Sequence, residues 1–137
     1  MEISLKRKNN AYHFEAENAS GNLVSFDANE QIGGQNKGIR PMEGVLASLA
    51  ACSSIDVISI LKKQKINPAR FEVQISATRI DAVPAVFKTI HVKYVVSAEV
   101  DEQKLMRAIE LSMTKYCSVT KMLEPTVNIT YSHVIEN

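Results

Sequence analysis

The stretch RPMEGVLASLAACSSIDVISILKK, residues 40–63, predicts the main element of the fold. After its proline it carries only two carboxylates, Glu43 and Asp56, before the terminal lysines, and one cysteine, Cys52, lies near its middle. Its large apolar residues recur at the helical spacing of 3.6, interleaved with alanine and serine. Proline suits the first turn of a helix, because its missing N–H would have no partner there. The stretch therefore predicts one long helix that begins at Pro41.

A helix this apolar is either a membrane span or the core helix of a folded domain. Four serines and two carboxylates within barely twenty residues would be costly in hydrocarbon, and the chain has no second candidate span. We therefore expect a core helix and no membrane. Since a helix that is apolar all round needs more cover than one small sheet provides, the sequence favours a homodimer in which two such helices pack together.

The rest of the chain has the periodicity of short strands and two shorter helices. Turn residues divide residues 2–27 into three strands, which indicates an antiparallel meander. After the long helix we expect two strands, a helix capped by Asp101, a short helical piece and a last strand, at residues 70–81, 86–100, 101–116, 117–124 and 127–135. This order predicts an α+β fold in one domain, residues 1–137.

The composition excludes several classes of protein. With 137 residues, 45% of them hydrophobic and 23% charged, the chain suits one globular domain. Its net charge is +1 and its basic residues are dispersed, so no nucleic acid partner is expected. The N-terminus MEISLKRKNN lacks the apolar segment of a secretory signal, which predicts a cytoplasmic location.

The two cysteines, Cys52 and Cys117, are far apart in sequence and are expected to be reduced thiols. No CxxC motif links them, and no histidine or further cysteine stands at metal-ligand spacing, so neither a metal nor a bound cofactor is expected. Cys52 shares a helix face with Ser48 and Asp56. A mid-helix thiol gains little from the helix dipole, and a carboxylate one turn away disfavours its thiolate. The residues alone thus favour an inert core cysteine at this position.

Cys117 occupies a different kind of position, at the start of the predicted short helix. Lys115 precedes it and Lys121 follows one turn later. A helix N-terminus and nearby ammonium groups both favour a thiolate, so Cys117 is a candidate for redox chemistry as well as for a structural role.

Two charged residues at the start of the long helix are further candidates. Glu43 lies in the first turn, where the helix dipole favours a carboxylate. Arg40 directly precedes the helix and is able to hold that carboxylate or to stabilise a thiolate. Helix-start electrostatics for Glu43 and solvation of a loop end for Arg40 are the alternative interpretations.

Two segments resemble one known family. PMEGVLASLAACSSIDVISILKK is similar to the central cysteine-bearing helix of the OsmC/Ohr family, the osmotically inducible and organic hydroperoxide resistance proteins, and KYCSVTKMLEPTVNIT is similar to its second cysteine segment. The resemblance implies an OsmC-like fold, with antiparallel sheets wrapped around long central helices in an intertwined homodimer. It also implies paired active sites at the dimer interface.

The resemblance further implies a thiol-dependent peroxidase. Cys52 would attack an organic hydroperoxide and become a sulfenic acid, and Cys117 would condense with it to a disulfide. Arg40 and Glu43 would activate the thiol. A small apolar hydroperoxide would be the substrate, an external dithiol the reductant, and no cofactor would be bound.

A second hypothesis follows from two differences from the peroxidases of this family. Their glutamate directly follows the helix-start proline, where this chain has Met42, and Glu43 lies about 100° further round the helix. The N-terminal strands offer only Arg7 in place of the arginine that stabilises their thiolate. These differences suit a dimeric binding or scaffolding protein that keeps the fold and an apolar ligand pocket without efficient peroxidase activity.

Overall fold

The helix expected from Pro41 forms one unbroken element in the computed structural model, which describes residues 1–137: α1, Pro41–Lys63. It ends before the proline that follows it, because Lys65 adopts a left-handed conformation with φ of 61°. The Ile66 N–H then donates to the Leu61 carbonyl at 3.0 Å, and the Lys65 N–H donates to the Lys62 carbonyl at 2.9 Å. This pair of hydrogen bonds is a Schellman motif, which satisfies carbonyls that the helix end would leave free.

The chain divides into two units, Met1–Leu46 and Ala47–Asn137, each with its own three-stranded sheet. The first unit contains β1, Ile3–Arg7, β2, Phe14–Asn18, and β3, Leu23–Phe26. They pair in the order β1-β2-β3, antiparallel throughout, which confirms the predicted meander. The expected organisation as one domain stays a prediction.

A buried carboxylate organises the loop that follows β3. Asp27, 2% exposed, accepts the N–H groups of Ala28 at 2.7 Å, Gln35 at 3.2 Å and Lys37 at 3.0 Å. Burial opposes ionisation of Asp27, but these N–H donors, with the nearby His13, outweigh it and hold the pKa of the carboxyl below its ordinary value of 3.8. The carboxylate form is therefore the form that holds the loop together.

Acid is expected to remove the stabilisation that Asp27 provides. Because its pKa is lower in the folded chain, its contribution is complete above the ordinary value and is lost as the pH falls through the folded value. Asp27→Asn should thus be less stable than the wild type at pH 7 in urea unfolding, and this difference should shrink below pH 4. The exposed Asp81→Asn serves as the control. A difference that does not change with pH would contradict this role.

The second unit contains β4, Phe71–Arg79, β5, Phe87–Ser97, and β6, Asn128–Glu136, in the order β4-β5-β6. The β4–β5 pair is antiparallel, as the sequence predicts, but β6 runs parallel to β5. The expectation of antiparallel sheets thus holds for every strand pair except this one. The reason is the helical connection between β5 and β6, which carries the chain back to the starting end of β5.

The connection from β5 to β6 contains α2, Glu102–Leu111, a π-helical turn, Ser112–Tyr116, and α3, Ser118–Leu123. The Asp101 side chain accepts the N–H of Lys104 at 2.9 Å, which confirms the predicted cap. The expected regular helix over 101–116 is wrong beyond Leu111, where the backbone widens into the π-helical turn. The serine that begins this turn bonds outside its own helix, as described below.

Buried residues of α1, β5 and α2 form much of the core of the second unit. One stripe of α1, with Leu49, Ser53, Val57 and Leu61 at every fourth position, is buried. The opposite stripe is open, and its Ile55 is 67% exposed. In length and composition alone, α1 also meets the requirements of a membrane-spanning helix. The fully buried side chains of β5 and α2 belong to the same core as the buried stripe of α1: Val92, Tyr94, Val96, Leu105 and Ala108.

Candidate active site

The two cysteines, distant in sequence, lie near each other in the second unit. Cys52 lies half-buried in the middle of α1, whereas Cys117 is fully buried at the N-cap of α3. Both are free thiols, and Cys52 lies near enough to Cys117 to raise the pKa of its thiol. The fold therefore places near each other the two residues that the family resemblance implies as a redox pair.

The surroundings of Cys117 favour its protonated form. Burial raises the pKa of the Cys117 thiol, hydrogen bonds from Thr120 oppose this, and the neighbouring Cys52 raises the pKa further. The effect of Cys52 has a simple cause, because a second thiolate beside a first one is electrostatically costly. A buried thiol with a raised pKa is a poor first nucleophile.

The expectation that two lysines favour a Cys117 thiolate is wrong. Lys121 Nζ lies 2.9 Å from a Glu124 carboxylate oxygen, and Lys115 Nζ lies 5.2 Å from the centre of the Tyr116 ring. Both side chains thus face outward while the thiol is buried. The helix N-terminus does act as predicted, since the Thr120 N–H donates to Cys117 Sγ at 3.4 Å. Desolvation outweighs that hydrogen bond.

A buried hydroxyl network lies beside the two segments that carry the cysteines. The Tyr94 hydroxyl donates to Ser53 Oγ at 2.8 Å and lies 3.5 Å from Met113 Sδ. Thr120 Oγ1 lies 3.8 Å from the same sulfur. Burial raises the pKa of Tyr94 to about 12, and the charges of Cys117 and Asp56 act in the same direction. Tyr94 is therefore a permanent hydrogen-bond donor at neutral pH.

A second polar link joins the turn before Cys117 to α1. Ser112 is fully buried, and its Oγ lies 3.0 Å from Asp56 Oδ2 and 3.2 Å from the carbonyl oxygen of Ser53. Ser53 directly follows Cys52 in the chain, and Asp56 lies one helical turn beyond it. The Cys117 N–H donates to the Ser112 carbonyl at 2.8 Å.

Sequence reasoning missed this network, because its members come from different elements. Only Ser112 left a signal in the sequence: it continues the face of α2 that carries Leu105 and Ile109, where the spacing predicts a buried apolar residue. A serine at such a position indicates a buried hydrogen bond. The missed residues of the network are Ser53, Tyr94, Ser112, Met113 and Thr120.

The charged candidates Arg40 and Glu43 build the start of α1. A Glu43 carboxylate oxygen accepts the backbone N–H of Arg40 at 2.8 Å, which is one half of a capping box. The Arg40 guanidinium donates to the Gly38 carbonyl at 3.0 Å and lies 3.4 Å from Asn36 Oδ1. These contacts match the alternative interpretations of both residues, and their roles as activators stay predictions.

Arg7, the arginine of the N-terminal strands, is also engaged locally. Its guanidinium donates to the carbonyl of Asn10 at 2.7 Å and to that of Ala11 at 3.0 Å, which closes the turn between β1 and β2. It therefore has a structural use in the first unit.

One large cleft of the second unit has neither cysteine in its wall. It has a volume of about 690 Å³ and lies between α2 and β6, where Met106, Ile109 and Tyr131 form part of its wall. A smaller cleft of about 290 Å³ is lined by Met113 and Thr120 of the hydroxyl network, among other residues. The candidate site is therefore identified by the surroundings of the two cysteines and not by the size of a cavity.

Comparisons with known proteins agree with the fold. The family of OsmC-like proteins matches residues 34–132. Protein YhfA of Escherichia coli K12 is 37% identical over 123 residues, which cover 89% of each chain. The structure of a hypothetical protein from Aquifex aeolicus VF5 superimposes with a TM-score of 0.80 at 30% identity, over 99% of this chain and 97% of that one.

A more distant structure has a name that describes an activity. The organic hydroperoxide resistance protein OsmC of Legionella pneumophila superimposes with a TM-score of 0.71 over 97% of this chain and 96% of its own. At 13% identity this likeness shows a common fold alone. The family match, the YhfA identity and the shared fold lead to one conclusion: the chain belongs to the OsmC/Ohr family of OsmC-like proteins.

Proposed function

We propose that the protein is an OsmC-like thiol peroxidase that reduces organic hydroperoxides through Cys52 and Cys117. The observation that carries the proposal is the placement of two free thiols of unequal exposure on segments that Ser112 joins, through its hydroxyl to α1 and through its carbonyl to the Cys117 N–H. Half-buried Cys52 is accessible to a small substrate, whereas Cys117 is fully buried and has a raised thiol pKa. We therefore assign Cys52 as the nucleophile and Cys117 as the resolving thiol.

The proposed cycle has three steps. The Cys52 thiolate attacks the distal oxygen of the hydroperoxide; the O–O bond breaks, the alkoxide takes up a proton to leave as an alcohol, and a sulfenic acid remains. The Cys117 sulfur then attacks the Cys52 sulfur; the S–S bond forms, the S–O bond breaks, and water leaves with the Cys117 proton. An external dithiol reduces this disulfide and is itself oxidised to a disulfide.

The surroundings of the pair favour an organic over an inorganic peroxide. The buried network beside Cys117 ends in the neutral hydroxyl and thioether groups of Tyr94, Met113 and Thr120, and the core that contains them is largely apolar. Such a site gains free energy from an alkyl or aryl group that hydrogen peroxide lacks. The name of the Legionella pneumophila relative points to the same substrate class.

A steady-state assay tests the proposal. The reduced protein, supplied with a dithiol such as dithiothreitol or dihydrolipoate, should consume cumene hydroperoxide and tert-butyl hydroperoxide faster than hydrogen peroxide. A monothiol at the same thiol concentration should support slower turnover, because intramolecular closure by a second thiol drives disulfide reduction. Absence of organic hydroperoxide consumption with every dithiol would refute the proposal.

The proposed enzyme is a homodimer, and the open stripe of α1 supports this assignment. Ala47, Ala51 and Ile55 form a stripe that is exposed in the single chain, on a helix long and apolar enough to require cover. Small residues at every fourth position let a second helix approach closely.

Ile55→Glu is expected to convert the dimer to a monomer, because it would bury a carboxylate between two helices. Sedimentation velocity at micromolar concentration measures the change. Met122→Glu, a substitution of an 80% exposed side chain on α3, is the control and should stay dimeric. A monomeric wild-type protein, or a dimer that tolerates Ile55→Glu, would contradict this interface.

A second candidate function is an apolar-ligand-binding or scaffolding protein without efficient peroxidase chemistry. The observation that favours it is the local engagement of Arg40 and Glu43, the two proposed activators, in the start of α1. This alternative predicts that the thiols stay reduced during exposure to organic hydroperoxides. The steady-state assay therefore separates the two functions.

A further inference from the structure

Ser112 connects the two segments that carry the cysteines. Its hydroxyl reaches α1 at Asp56, 3.0 Å away, and at the carbonyl of Ser53, 3.2 Å away. Its carbonyl accepts the Cys117 N–H at 2.8 Å. One residue thus holds the backbone of the buried cysteine and the helix of the half-buried one.

The backbone between Ser112 and Cys117 is an unusual one. The bond from the Cys117 N–H to the Ser112 carbonyl spans five residues and closes the π-helical turn Ser112–Tyr116. Turns of this kind are rare within helices and concentrate at functional sites. Directly after the turn, Cys117 leaves the helical conformation, with φ of −70° and ψ of 109°, and its sulfur caps α3. The widened turn thus sets where the Cys117 sulfur lies.

The chemistry of the resolving step makes that position critical. Two sulfurs form a disulfide only when their Cα atoms lie roughly 4.4 to 6.8 Å apart with suitably directed side chains. A misplacement of about 1 Å in a reacting group is able to cost two orders of magnitude in rate. A hydrogen bond that fixes one cysteine segment on the other therefore acts on this step in particular.

We infer that Ser112 is a positioning residue that sets the rate of disulfide closure between Cys52 and Cys117, with Asp56 as its acceptor. The inference rests on the proposed function and adds a residue to it. In the step concerned, the Cys117 sulfur displaces the hydroxyl of the Cys52 sulfenic acid as water, and the S–S bond forms as the S–O bond breaks. Ser112 neither gives nor takes a proton in this step.

The test separates the two chemical steps in single-turnover experiments. The reduced protein is mixed with one equivalent of cumene hydroperoxide and quenched at intervals. Sulfenic acid is trapped with dimedone, and the disulfide is counted by intact mass. Ser112→Ala should form the sulfenic acid at the wild-type rate, close the disulfide about tenfold more slowly and give more dimedone adduct. Ser112→Thr, which keeps the hydroxyl, should restore most of the closure rate.

Thr114→Ala is the matched control within the same turn. The Thr114 hydroxyl donates to the Glu110 carbonyl of its own helix at 2.6 Å and makes no bond to α1. Its removal should leave both steps unchanged. Equal closure rates in Ser112→Ala and the wild type would overturn the inference, and so would an equal loss in Ser112→Ala and Thr114→Ala.

Two further measurements test the inference if Ser112→Ala does not fold or if the protein is not a peroxidase. If Ser112→Ala does not fold by circular dichroism, Asp56→Ala removes the acceptor at a half-buried site and should slow closure in the same direction. Diamide closes neighbouring thiols without a hydroperoxide, and Ser112→Ala should slow this reaction also. If diamide closure is slow in Ser112→Ala and the wild-type protein consumes no hydroperoxide, the peroxidase function is contradicted and the positioning role is supported. Diamide closure at the wild-type rate in Ser112→Ala would contradict the positioning role alone.

Discussion

Cys52→Ser should consume organic hydroperoxides no faster than buffer without protein. A serine hydroxyl is not ionised at neutral pH and is a poor nucleophile toward a peroxide oxygen, so the first step has no substitute. Cys117→Ser should behave differently. It should complete the first step, since Cys52 remains, and then stop at a sulfenic acid that dimedone captures. The contrast between the two variants assigns the two roles.

Ser54→Ala is the control for this pair of variants. Its hydroxyl donates to the Ala50 carbonyl at 2.6 Å within α1 and is close in sequence to Cys52. The control should retain wild-type consumption, measured with cumene hydroperoxide and dithiothreitol. Retention of more than a small fraction of the wild-type rate by Cys52→Ser would mean that Cys52 is not the nucleophile.

Leu61→Ala is expected to lower the free energy of unfolding by about 2–5 kcal/mol. Leu61 is fully buried on the last turn of α1, on the same stripe as Leu49 and Val57. The substitution removes its transfer free energy and leaves a cavity between packed elements. Urea unfolding followed by circular dichroism measures the loss as a lower midpoint.

Met122→Ala provides the comparison for this prediction. Met122 is a large apolar side chain that is 80% exposed, and its truncation should change stability by less than about 0.5 kcal/mol. If the two truncations cost the same, the buried stripe of α1 is not the core that the structure describes.

The sequence predicts the central part of this fold because that part depends on local patterns. The start of α1 at Pro41 follows from the restricted φ of proline, and its length follows from an uninterrupted apolar period. The Asp101 cap of α2 and the meander of β1 to β3 are likewise local features, and the structure confirms both. Recognition of two cysteine segments then adds the family, which the comparisons confirm.

What the sequence does not predict depends on contacts between distant residues. The parallel pairing of β6 follows from the path of a helical connection, which no strand pattern records. The π-helical turn begins at Ser112, whose hydroxyl bonds to Asp56 of α1, an acceptor that is far away in sequence. The nearness of Lys115 and Lys121 along the chain favours a Cys117 thiolate, but both side chains point to solvent while the thiol is buried.

The candidate site shows the same division. Its two sulfur atoms belong to residues that the sequence identifies, whereas the hydroxyl groups of the network beside them come from α1, β5, the π-helical turn and α3. Arg40 and Glu43 illustrate the opposite case, in which a charge next to a motif is used for local structure. Charge proximity along the chain is therefore a weaker guide to this site than burial and hydrogen bonding.

Intact-mass spectrometry tests the central claim most directly. The protein is reduced with a dithiol, freed of reductant and exposed to one equivalent of cumene hydroperoxide under non-reducing conditions. The Cys52–Cys117 pair should lose two hydrogens, and digestion should yield one disulfide-linked peptide that contains both residues. An unchanged mass would contradict the claim that these two thiols form a peroxide-reducing pair.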